Sequence, residues 1–141
     1  MTTPRGIRNC NPLNIRRTGD QWRGLADIQT DASFCQFRAM EWGWRAAFRL
    51  LTHTYYRKYG IDTIRAIVSR WAPAADNNDE TAYTAHIVRL TGIAADEPLG
   101  NPQEQAARWM MVGMAMAIHE NGTSSLDPFD MLQGWQLCQQ G

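Results

Sequence analysis

The chain lacks most of the patterns by which chemistry is read directly from sequence. Its three cysteines, Cys10, Cys35 and Cys138, are odd in number and have no metal-like spacing, so a disulfide framework is not expected. His53, His86 and His119 stand far apart, with neither an HxxxH nor an HExxH pattern, and no metal or cofactor is expected. There is no Gly-x-Ser-x-Gly elbow and no glycine-rich phosphate loop. The opening MTTPRGIRNCNP has no apolar core, so no secretory signal is expected and synthesis in the cytoplasm follows. The longest apolar run, Trp109–Ile118, is far shorter than a membrane span, which argues against membrane insertion. Formal net charge is zero, and the basic arm formed by Arg5, Arg8, Arg16, Arg17 and Arg23 is local. Nucleic acid is therefore not an expected partner.

What is present is a globular composition: 44% hydrophobic and 20% charged residues in a chain of 141. That length suits a single domain over 1–141. Six tryptophans suit a stable core, a carbohydrate cleft, or both. Residues 1–38 are dense in Asn and Gly. NIRR, a turn at Thr18-Gly19-Asp20, and WRGLADIQ read as a hairpin.

Helical spacing takes over afterwards. Trp44, Ala47, Phe48, Leu51 and Tyr55 predict a helix over 41–58, closed by Gly60. Asp62 is the expected cap of a second helix that Pro73 stops, and Asp79 of a third that Gly92 closes. Asn101-Pro102-Gln103-Glu104 predicts a helix start, with Asn121-Gly122 as its stop. Asp127-Pro128 repeats the device for a short final helix. The fold class expected is mainly α (α+β), with a small N-terminal hairpin.

Carboxylates remain as the chemical candidates. Glu120 ends an apolar helical run, at the negative end of the helix dipole. The dipole and a half-buried apolar setting both favour the protonated carboxyl, which is what a general acid needs. The bland alternative is a tolerated surface residue. Asp31 and Glu41 flank FCQF; Glu41 also suits the first turn of a helix. Asp76, Asp79 and Glu80 fit a loop and a capping role.

Three blocks together resemble the lysozyme-like peptidoglycan hydrolases, most closely the bacterial and phage glucosaminidase group: NPLNIRRTGDQWRG, FCQFRAMEWGWRAAFRLL and TAYTAHIV. The resemblance covers about residues 9–90. RGIRNCNPLNIR and RWAPAADNNDETAY also resemble small phage and prophage virion-associated or lytic proteins. The resemblance implies a lysozyme-like helical domain acting on peptidoglycan glycan strands. In that group the catalytic glutamate lies on a helix before the first block, where this chain has no acid. Either catalysis is lost and the chain is a structural or glycan-binding virion module, packing against other virion or lysis proteins, or the helix has moved to the other end by circular permutation. MVGMAMAIHENGTSSLDP resembles that helix.

The resemblance then implies Glu120 as general acid, Asp31 as a second carboxylate if there is one, and Tyr83 orienting substrate. Asn14, Trp22, Trp42 and Glu41 are the implied substrate-binding residues. Which glycosidic bond is cut, and whether water or the substrate's own hydroxyl attacks, stay open at this level. The site of action implied is the cell wall, reached through phage-type or secretion-system delivery, or the virion.

Overall fold

The computed structural model describes residues 3–73 and 77–141. It is mainly helical. In chain order it holds α1 (Arg5–Arg8), α2 (Met40–Phe48), a π-helical stretch (Arg49–Lys58), α3 (Ile64–Trp71), α4 (Glu80–Thr91), α5 (Ala106–Asn121) and α6 (Pro128–Gln139). These form two compact units: one of residues 1–49 and 120–141, the other of residues 50–119. Asp76, read from the sequence as a loop residue, lies outside the described residues.

In the first unit α6 packs directly on α2. Gly134 makes this possible, because a Cβ there would overlap Trp44 Cβ and crowd the backbone of Arg45 and Glu41. The close approach builds an aromatic core: Trp44 stacks on Phe48 with centroids 5.6 Å apart, and Phe48 meets Trp135 edge-on at 5.0 Å. Asp127 caps α6, its carboxylate accepting from the Phe129 amide, with Pro128 at the first helical position.

The N-terminal hairpin does not form. NIRR and WRGLADIQ pair with a third segment instead of with each other. Arg16 bridges Phe34 and Leu25 bridges Phe37, both antiparallel. The Cys35 amide donates to the Ile15 carbonyl, and the Ala26 amide to the Gln36 carbonyl. The segment around 33–38 thus takes the hydrogen bonds that a hairpin would have placed between the two arms.

In the second unit, Thr63 and not Asp62 caps α3; its Oγ1 accepts from the Ala66 amide. Asp79 caps α4 as expected and Gly92 closes it at φ +73°. Helix α5 starts at Ala106, later than the Asn101 signal. Asn101 does accept from the Gln103 amide, yet its turn closes on itself. Gly100, just before Asn101, takes φ +89°, and its carbonyl accepts the Trp109 indole N–H. Trp109, Val112 and Met116 of α5 are buried with Ile64, Ile67, Ile87 and Leu99 as the core of this unit. Among the described residues no helix is long and apolar enough to cross a membrane.

Candidate functional site

The NCNPLN stretch is built around Asn11, which is fully buried. Its side chain imitates a strand neighbour: Oδ1 accepts from the Ile15 amide while Nδ2 donates to the carbonyls of Ile15 and Cys35. Pro12 fixes the next dihedral, and the Asn14 amide closes the turn on the Asn11 carbonyl at 3.0 Å. Asn14 itself takes a left-handed conformation, φ +55°, which asparagine tolerates better than most residues.

That conformation sends the Asn14 side chain to Glu120. Nδ2 donates to Glu120 Oε1 at 3.1 Å. The neighbouring Asn121 is buried and donates to the Pro12 carbonyl at 2.9 Å. Gly6 of α1 packs so close to Asn121 Oδ1 that a Cβ would overlap it. The last two residues of α5 are therefore clasped by the N-terminal turn. Glu120 is half-buried there, a fixed carboxylate and not part of a loose tail. Asn14 Oδ1 is enclosed without a hydrogen-bond partner.

Asp31 is held differently. Oδ1 accepts from the Ser33 and Phe34 amides, and Oδ2 from Asn9 Nδ2 and Arg5 Nε. Those two amides, then Asn9, then Arg5, hold its carboxyl down to about 2. It is a permanent anion at neutral pH that ties α1 to the 31–34 turn.

Glu41 sits in the first turn of α2 beside a cavity of about 220 Å³ shared with Gln133 and Gln136 of α6 and with Gln140 just after it. Trp42 carries the Arg38 guanidinium over its ring at 5.0 Å, and the Gly24 backbone abuts the same ring. Trp22 is half-buried, its indole N–H enclosed without an acceptor. A second cavity, about 390 Å³, is lined by Arg17, Asp20, Gln21, Asp27 and Gln29 among others.

Tyr83 belongs to the second unit. It is buried on α4, its ring 3.9 Å from that of His119 of α5. His119 Nδ1 lies 2.9 Å from His86 Nδ1, so one imidazole donates and the other accepts. Burial, and then His86, push His119 below its ordinary value. Among the described residues no three His, Cys, Asp or Glu side chains gather as a metal site.

Three features escaped the sequence reading. The histidine pair joins residues 33 apart in sequence. Asp130 is raised by burial, and then by Asp127 and Glu41. Arg45 is buried in α2.

No protein-family model matches the chain. Protein P5 of Pseudoalteromonas phage PM2 is 34% identical over 135 residues, spanning 94% of this chain and 80% of P5. The chain belongs to the family of phage PM2 protein P5. With 94% of the chain aligned, both the Asn14 turn and the Glu120 helix end fall within a match that spans nearly the whole sequence.

Proposed function

We propose that this protein cleaves the glycan strand of peptidoglycan, with Glu120 as the general acid. The carrying observation is the clasp at the end of α5: a half-buried glutamate fixed by Asn14 of the turn that opens the fold. A general acid must be held in one place relative to the scissile bond, and a residue on a rigid helix end meets that need. The same clasp supports the circularly permuted lysozyme-like reading, because it brings the C-terminal glutamate helix to the turn that such a helix would otherwise precede.

With all four strong donors around Asp31 engaged, the arrangement favours a one-carboxylate route. Glu120 gives its proton to the glycosidic oxygen as the bond breaks. The resulting carboxylate then accepts a proton from the substrate's own hydroxyl as that oxygen closes on the anomeric carbon. Asn14 Nδ2 steadies the carboxylate form between the two steps. Membership of a phage protein family agrees with such an activity, since a phage must pass a cell wall.

Mass analysis of the soluble products tests the route. Anhydro-ended fragments from wild type, absent with Glu120→Gln, are expected; reducing ends would assign the attack to water instead.

A second reading is a non-catalytic virion component of the same fold. Phe129 is 72% exposed and Leu132 41% exposed on α6, and the phage relative fits a place in a particle. Retention of the protein in purified virions, with no muropeptides released by folded wild type, is the result that would favour it.

A further inference from the structure

The cavity of about 390 Å³ in the first unit is lined by none of the residues that clasp Glu120. Its volume lies at the small end of ligand sites, which run from roughly 300 to 1,000 Å³. Hydrogen bonds hold its walls. The Arg17 amide donates to the Ser33 carbonyl, and the Ala26 amide to the Gln36 carbonyl. Gln29 is locked in place: its Nε2 donates to the carbonyls of Ala26 and Gln36, and its Oε1 accepts from the Gln36 amide. The buried Cys35 closes the floor, its thiol donating to the Arg16 carbonyl. A pocket built this way is formed before a ligand arrives, so binding does not have to order a loop.

Three charged side chains line this cavity: Arg17, Asp20 and Asp27. None of them stands in an ion pair among the described residues, although the two signs share one space. Two of them are tethered elsewhere. Arg17 Nη1 donates to the Asp31 carbonyl at 3.0 Å, which fixes the guanidinium and leaves its other N–H groups open. Asp20 Oδ2 accepts from Thr18 Oγ1 at 2.8 Å, which leaves Oδ1 open. A guanidinium grips a carboxylate in two-pronged fashion, and an ammonium offers three N–H donors to carboxylates and hydroxyls. Opposite charges held apart in one cavity therefore suit a ligand that carries both signs. A simple anion or a simple cation would meet a like charge there.

We propose that this cavity binds an α-amino-acid group, with its ammonium on Asp20 and Asp27 and its carboxylate on Arg17. Two sources supply that group. One is a free amino acid. The other is the side-chain end of a diaminopimelate residue in a peptidoglycan stem, and this source rests on the glycan-cleaving reading. The shared chemistry is an ammonium and a carboxylate on one carbon.

Titration calorimetry of the full chain tests it with alanine, alaninamide and N-acetylalanine. Alanine is expected to bind, and each blocked form to bind about tenfold or more weakly, for loss of a charge-assisted contact. Arg17→Gln should erase the difference between alanine and alaninamide. Asp27→Asn should reduce that between alanine and N-acetylalanine. Both positions are exposed, so both variants are expected to fold. Alanine should also shift the amide resonances of Gly19 and Ala26 in wild type, a readout that needs no variant. Two N-acetylated stem tripeptides, ending in diaminopimelate or in lysine, separate the sources, because only the first carries the group on its side chain. The first bound above both the lysine peptide and alanine supports the stem source; alanine bound above both peptides supports a free amino acid. Equal binding of alanine and its two blocked forms overturns the site. So does no binding of alanine, or resonance shifts away from the cavity. N-acetylglucosamine bound in preference to alanine overturns it too. None of these readouts needs strand cleavage, so failure of the glycan-cleaving reading leaves the site standing.

Discussion

Asn14 Nδ2 donates to Glu120 Oε1 at 3.1 Å, a contact between residues 106 positions apart that joins the opening turn to the end of α5. Asn14 also occupies a left-handed backbone conformation, φ +55°. Asn14→Gly keeps that conformation without strain and removes only the amide. The expected result is a fall in strand cleavage of about tenfold or more, as for loss of one hydrogen bond to a charged group. Thermal stability should change little. Asn14→Ala should lose the same activity and melt earlier as well, because alanine is strained at positive φ.

Gly134 is the contact point of α6 on α2. Gly134→Ala forces a methyl into Trp44 Cβ and the backbone of Glu41 and Arg45, none of which is the end of a flexible side chain. A loss of about 1–3 kcal/mol or more is expected from overpacking. Urea denaturation should show a lower midpoint with an unchanged slope.

The Asp31 carboxyl sits at about 2 in the folded chain against 3.8 for the free side chain, because the Ser33 and Phe34 amides, Asn9 and Arg5 favour its charged form. A depressed carboxyl contributes stability that is present above the unfolded value and is lost as pH falls from about 4 towards 2. Acid titration of the melting temperature should show this loss in wild type. In Asp31→Asn the same window should be flatter and the plateau at neutral pH lower.

His119 gives a second pH dependence. Its imidazole is pushed below the ordinary 6.5 by burial and by His86. The unfolded chain therefore binds the proton first as pH falls. Stability is fully present above about 6.5 and declines below it. His119→Gln should remove that decline, measured by thermal melts between neutral and mildly acidic pH.

The helices were legible where a cap or stop is a local event. Asp79, Gly92 and Asp127 act where their sequence context places them. The hairpin was misread because alternation shows which residues form extended backbone but not which segment they pair with. Phe34 and Phe37 bring in a third segment that takes both arms as neighbours. The π-helical stretch of 49–58 closes its hydrogen bonds one residue further along than an α-helix does, and apolar steps of three and four do not reveal it. At the candidate site, Glu120 was visible because a glutamate at a helix C-terminus opposes the dipole. Asn14 as its partner, the locking of Asp31 by Asn9 and Arg5, and the burial of Arg45 all depend on contacts distant in sequence.

The most direct measurement is turbidity clearing of purified peptidoglycan by wild type beside Glu120→Gln, with both proteins shown to be folded by circular dichroism. The substitution keeps the shape of the side chain and removes the proton that it would transfer. Clearing by wild type and its loss in Glu120→Gln is the predicted result. Equal clearing by both, or none by either, would contradict Glu120 as the catalytic acid.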